Sequence, residues 1–191
     1  MRQKKSIDIR DIIMVALMAA LTFIFTFIRI EIPTPIGKTM IHLGNVICLL
    51  SALFFGPLKG GLSAGFGSML FDLFDPVYIT ESWVTFINKF VMAFVAGAIY
   101  HNPKKKHSAA RAVLAAVCGA LSYTALYILK QIVTNYFILS FEWETVISSL
   151  FIKVPVSLAN GIIAAICSVL LNAAVRPALK KAGLFDSMRV Q

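Results

Sequence analysis

The feature that most constrains this chain is a succession of apolar stretches, each long enough or nearly long enough to cross a membrane. A crossing helix needs ~20 largely apolar residues, with ~17–25 the usual range. Six stretches can be marked: Ile12 to Ile30, Ile41 to Phe55, Leu58 to Phe74, Ser82 to Tyr100, Ala109 to Phe137 and Thr145 to Val175. The second and third are short and separated only by Gly56-Pro57, which predicts a tight helical hairpin. The fifth and sixth are long enough to tilt or protrude. Composition agrees, since 59% of the 191 residues are hydrophobic and only 14% charged, whereas soluble domains carry ~25% charged residues. Barrel strands alternate apolar and polar over ~10 residues; these runs are longer, and strands are not expected. The predicted fold class is an all-α integral membrane bundle of six transmembrane helices, with residues 1–191 as one domain.

The net charge of +9 is topology information rather than a nucleic-acid footprint. Arg2, Lys4, Lys5 and Arg10 precede the first stretch. Lys104, Lys105, Lys106 and Arg111 fall between the fourth and fifth. Arg176, Lys180, Lys181 and Arg189 follow the sixth. Cytoplasmic segments carry the excess of Lys and Arg, and six crossings put all three clusters on one side. Both termini are therefore expected in the cytoplasm, with 1–11 and 176–191 as its segments. The acidic residues Glu31, Asp72, Asp75, Glu81, Glu142 and Glu144 collect on the other side. Trp83 and Trp143 fall near outer helix ends, where aromatic belts sit. No basic surface interleaves with exposed aromatics, so no nucleic-acid partner is expected. The basic N-terminus followed by Ile12 to Ile28 mimics a signal peptide, but without a convincing cleavage site it reads as a retained helix.

Two lysines interrupt the apolar pattern. Lys89 lies within Phe86-Ile87-Asn88-Lys89-Phe90-Val91-Met92, and Lys153 within Phe151-Ile152-Lys153-Val154-Pro155. A charge at the centre of a crossing helix costs at least ~2.5–3.5 kcal/mol, so each must face a partner, a water-filled cavity or a ligand. Asn88 adjoins the first lysine. Asn160 lies two turns beyond the second, on its face. Tyr123, Tyr127, Gln131 and Asn135 recur every four residues and form a polar stripe with Lys130 beside it. Pointed inward, these groups make a ligand cavity; alternatively, the lysines snorkel or pair with Asp72, Asp75 or Glu81. His42 and Asn45 sit three apart on one face at an outer helix start. They read either as ligand contacts or as a cap and a helix–helix bond. The segment Glu31 to Met40 holds two prolines and Gly37, an ordered non-helical path suited to a lid, with Asp75 to Glu81 as the rival; Lys38 can reach a ligand or Glu31.

Other motifs point to packing or exclude chemistry. Ala16 and Ala20 form a small-xxx-small pair, and Gly61 and Gly65 a second; either pair can pack within the bundle. Cys48, Cys118 and Cys167 lie in apolar runs, match no zinc spacing and read as packing residues. His101 and His107 belong to the basic loop and read as solvated. Gly37-Lys38-Thr39 lacks the upstream glycine of a phosphate loop, since Ile32 stands there. No metalloprotease, esterase-elbow or carboxylate-metal pattern occurs. No ATP site, catalytic residue, metal or cofactor is expected.

The segment Pro35 to Asn45, followed by Leu53-Phe54-Phe55-Gly56-Pro57-Leu58-Lys59-Gly60-Gly61, resembles the substrate-binding S components of energy-coupling factor (ECF) vitamin transporters, within their HmpT-like, pyridoxine-type branch. The resemblance covers essentially the whole chain. It departs at Asn45, where many members carry Asp, making a fixed charge dispensable there. The resemblance implies a multi-pass subunit of a bacterial cell membrane that captures a vitamin at its outer side. Ala16 and Ala20 match the family's motif for docking on a membrane scaffold subunit driven by two ATPase subunits. Pyridoxine or hydroxymethylpyrimidine is the implied ligand, and Lys89, Asn88, His42, Asn45, Lys38, Tyr127, Gln131, Lys153 and Asn160 are the expected site residues. The alternatives are another vitamin such as riboflavin, a self-sufficient secondary transporter, or a membrane enzyme using lysine chemistry. Secondary transporters usually carry internal repeats, and none is visible.

Overall fold

The computed structural model describes residues 9–104 and 106–183. Arg2, Lys4, Lys5, Lys105, Arg189 and parts of both expected cytoplasmic segments lie outside them. The described chain runs α1 (Ile9–Thr26), β1 (Arg29–Pro33), β2 (Lys38–His42), α2 (Gly44–Leu73), a 3₁₀ turn (Ile79–Glu81), α3 (Ser82–Tyr100), α4 (Ala109–Ile132), a π-helical turn (Val133–Ile138) and α5 (Trp143–Lys181). Among the described residues five helices are long and apolar enough to cross a membrane, and the helical membrane bundle is as expected.

The six expected stretches map onto five helices because α2 takes in the second and third. It is not one rod. Gly56 adopts φ 82° and ψ −174°, outside the helical region, and Pro57 lacks the N–H that would bond the Leu53 carbonyl. The chain folds back here. Ser51 Oγ donates to the Gly60 carbonyl at 3.2 Å, and Cys48 Sγ lies 3.8 Å from Ser68 Oγ. In a straight helix, residues twenty apart would be separated by about 30 Å. Gly60 lets the arms touch, since a Cβ there would lie 2.5 Å from the Ala52 Cα. The orphaned Leu53 carbonyl is taken by His101 Nε2 at 2.9 Å and by the Arg176 guanidinium at 3.0 Å.

The first arm, Gly44–Phe55, is buried along its whole length. Its sequence is apolar all round, which suits a helix enclosed by others. Around it pack Met92, Ala93 and Ala96 of α3, Ala116 of α4 and Ala164 of α5, and the four alanines let the helices approach closely. Gly61 and Gly65 face Phe90 and Phe86 of α3, so this pair packs within the bundle. Ala16 and Ala20 do not. Both are exposed on α1, whose buried face is Met18, Thr22 and Thr26.

Two expectations are corrected. Strands were not expected, yet the outer segment is an antiparallel hairpin with Glu31 opposite Met40 and Pro33 opposite Lys38. Ile30, Ile32 and Ile41 favour the pleat, and Gly37 closes the turn at φ 70°. The hairpin shortens the first stretch to Thr26 and delays α2 to Gly44. His101 was read as solvated, yet it is buried, and its ring holds the Leu53 carbonyl. His107 is exposed, as expected, although its ring lies 5.2 Å from that of His101.

Candidate functional site

The hairpin roofs a cavity between the helices. Its walls come from α2 (Ser68, Phe71, Asp72), α3 (Thr85, Asn88, Lys89), α4 (Tyr123, Tyr127, Lys130, Gln131) and α5 (Ser157, Asn160). Thr26 of α1, Thr39, Met40 and His42 of β2, and Tyr78 and Glu81 of the next outer segment complete it. Its volume, measured by the space open to the centre of a water molecule, is about 80 Å³. Ligand pockets commonly run to ~300–1,000 Å³, so a vitamin-sized occupant must lift the roof or move side chains.

Lys89 is buried and bonds to Asn45 Oδ1, with its ammonium 3.9 Å from the centroid of the Tyr123 ring. No carboxylate lies within ion-pair distance among the described residues. A charged hydrogen bond contributes ~1.5–3 kcal/mol and a desolvated cation–π contact ~2 kcal/mol. Together they match the insertion cost of the lysine, so it can stand charged without an ion pair. Lys153 differs. It donates to Gln131 Oε1 at 2.8 Å, an atom that also accepts from Asn135 at 2.9 Å. It sits behind Gln131 and does not line the cavity.

The polar stripe of α4 does point inward. Tyr123 and Tyr127 stack with centroids 6.0 Å apart, and Gln131 and Asn135 are buried beyond them. The π-helical turn follows directly, a local irregularity frequent at functional sites. Lys130 pairs with Glu81 at the cavity edge.

Asn160 acts on backbone. Its Oδ1 accepts from the His42 N–H at 3.0 Å, and its Nδ2 donates to the Met40 carbonyl at 2.7 Å. One carboxamide thus grips β2 as a neighbouring strand would and ties the roof to α5. The His42 ring is buried, and burial first, then the charges of Lys89 and Arg29, hold its pKa well below the usual value. It is neutral at pH 7, and its Nδ1 has no partner among the described residues.

Lys38 is displaced from the cavity. It lies 2.9 Å from Glu31 and 3.5 Å from Asp75, while Arg29 reaches the same two carboxylates at 2.9 Å each. Tyr78 also donates to the Lys38 carbonyl at 3.2 Å. The two rival lid segments are therefore joined into one cover.

Of the nine expected site residues, His42, Asn88, Lys89, Tyr127, Gln131 and Asn160 line the cavity. Asn45 and Lys153 stand one layer behind, and Lys38 belongs to the cover's outer ion cluster. Sequence reasoning placed Tyr123 in the inward stripe, and it lines the cavity too, whereas Asp72, Thr85 and Ser157 were missed as lining residues. Asp72 had a signal: it is a carboxylate inside an apolar run, the counterpart of Lys89.

Residues 6–177 match the family described as the ECF-type riboflavin transporter, S component. A Pyrococcus woesei protein described as an uncharacterized protein in a gap 3′ region is 34% identical over 61 residues, 32% of this chain. That alignment spans 38% of the relative's own length.

Proposed function

Because the chain belongs to the ECF-type riboflavin transporter S component family, we propose that it captures a small aromatic vitamin or precursor in the roofed cavity and delivers it to an ATP-driven import module. The observation that carries this reading is Lys89, a charged group held over an aromatic face, pointed into a cavity and matched by no carboxylate among the described residues. Lys89, Asn88, His42, Tyr127 and Gln131 contact the ligand; Asn45 and Lys153 set the first and last of these in place; Asn160 anchors the cover. Pyridoxine or hydroxymethylpyrimidine is the favoured ligand, since a single ring asks less displacement of a cavity this tight than the tricyclic ring of riboflavin does. Riboflavin, the vitamin in the family's description, is the alternative.

The bundle crosses the membrane six times with both termini in the cytoplasm. The fold-back at Gly56 supports this, because it divides α2 into two antiparallel arms. At ~1.5 Å per residue the first arm spans about 18 Å, short of the ~30 Å hydrocarbon core; it is enclosed by protein, so it need not reach both faces. Ala16 and Ala20 dock on the scaffold subunit, and two ATPase subunits act through that scaffold. Their exposure on α1 supports this, because a small-residue face left open lets a partner helix approach closely. The chain itself performs no ATP hydrolysis and binds no nucleic acid.

The test is mass spectrometry of small molecules released from the purified chain, followed by titration of each vitamin found. Lys89→Met is expected to weaken binding at least tenfold, because a buried charged contact is worth ~1.5–3 kcal/mol. The variant is expected to stay folded, at a cost of ~1–3 kcal/mol for the Asn45 carboxamide it leaves unpaired. Unchanged affinity would make Lys89 a structural group. Replacing Ala16 or Ala20 by Trp is expected to abolish assembly with the scaffold while vitamin binding survives.

A further inference from the structure

Two opposite charges face the same cavity and do not close on each other. Lys89 is committed to Asn45 and the Tyr123 ring. Asp72, also buried, lines the same cavity from α2. Among the described residues neither forms an ion pair, so each can meet a separate group of a bound ring. The stacked Tyr123 and Tyr127 give that ring an aromatic surface. The remaining charges at the edge, Lys130 and Glu81, neutralise each other. Two buried polar atoms beside the lysine, Asn45 Nδ2 and His42 Nδ1, have no partner among the described residues, and buried polar groups ordinarily do.

We propose that the cavity selects a heteroaromatic ring of reverse polarity, with its acidic or acceptor oxygen on Lys89 and a basic ring nitrogen, carrying a proton, on Asp72. This inference rests on the vitamin-capture reading and narrows it. Opposite charges that line one cavity without pairing form a receptor for a ligand with the reverse polarity, because each ligand end then recovers the hydration it loses. A ring without a basic nitrogen leaves Asp72 unmatched. A phosphorylated ring adds negative charge that, among the described residues lining the cavity, Lys89 alone meets without an ion-pair partner, beside a carboxylate that repels it. Hydroxypyridines and aminopyrimidines satisfy both ends. Flavin rings, whose nitrogens are scarcely basic, do not.

The test uses the full chain in detergent and four probes: pyridoxine, hydroxymethylpyrimidine, riboflavin, and the pyridoxine analogue in which CH replaces the ring nitrogen. Pyridoxine or hydroxymethylpyrimidine is expected to bind at least tenfold more tightly than riboflavin. For the pyridoxine pair, the carbon analogue is expected to lose at least tenfold on the unmodified chain, which needs no variant to fold. Asp72→Asn is expected to weaken whichever basic heterocycle binds by tenfold or more and, for pyridoxine, to close most of its gap over the carbon analogue. Tight riboflavin binding that Asp72→Asn leaves intact would overturn the dipolar selection and leave vitamin capture standing. Equal binding of pyridoxine and its carbon analogue would do the same. Failure of all three vitamins to bind overturns the capture reading and this inference together.

Discussion

The two ends of the bundle bury polar side chains for opposite purposes. At the fold-back end, cations close on backbone. Arg111 donates to the carbonyls of Ile99, Asn102 and Lys106 at 2.7, 3.0 and 3.3 Å. His101 and Arg176 share the carbonyl that Pro57 leaves orphaned. These groups complete helix ends, whose last carbonyls have no partner within the helix. At the cavity end, Lys89, Asp72 and His42 close on side chains or leave polar atoms unmatched. The difference separates structure from function in a chain where any buried charge looks anomalous. A buried cation whose bonds end on carbonyls is holding the fold, and one held by an amide and an aromatic face beside a cavity is available to a ligand.

The comparison is sharpened most by removing Arg111. Arg111→Met strips three carbonyls of a donor, two of them on exposed residues that water can reach. The expected loss is on the order of 3 kcal/mol in reversible unfolding in detergent, without a specific loss of vitamin affinity in the folded fraction. A drop in affinity larger than the drop in stability would break the division between the two ends.

An effect of similar size comes from pH. Burial, opposed by the Leu53 carbonyl and reinforced by the nearby charges of His107, Arg176 and Arg111, brings the His101 pKa down to about 4. Above about pH 6.5 the ring is neutral in both states. Between there and pH 4 the unfolded chain takes up a proton that the folded chain refuses, so stability falls as the pH is lowered. Its contribution to that fall is on the order of 3 kcal/mol. Unfolding measured at several pH values in the unmodified chain and in His101→Gln checks this. The substitution should flatten the profile, and an unchanged profile assigns the loss to other groups, buried His42 first.

The smallest effect tests the cover. Asn160→Ala removes two bonds to β2 without touching its fold, an expected cost of ~1–2 kcal/mol. Amide exchange at Met40 to His42 should quicken about tenfold, and vitamin release should quicken with it. Faster exchange at β2 alone, with Asp75 to Glu81 unmoved, would show that the two outer segments are less firmly joined than Arg29, Lys38 and Asp75 suggest.

Sequence alone determined the apolar stretches, and with them the helical membrane bundle, because a helix satisfies its own backbone in hydrocarbon and period and length are written locally. It also determined the Gly56-Pro57 break and the inward stripe from Tyr123 to Asn135, since both rest on residue type at short spacing. Lys89 stood out for the same reason. Tertiary structure decided the rest. Strand pairing between Arg29–Pro33 and Lys38–His42 was hidden because two prolines read as an irregular loop, whereas pairing is a relation between segments. Whether His101 is solvated or Lys38 faces the cavity depends on what packs above each, which no local pattern records. Asp72 joined the site only when the hairpin of α2 brought it beside Thr85 and Lys89. A charge acquires a role from its neighbours across the fold, and those neighbours are distant in sequence.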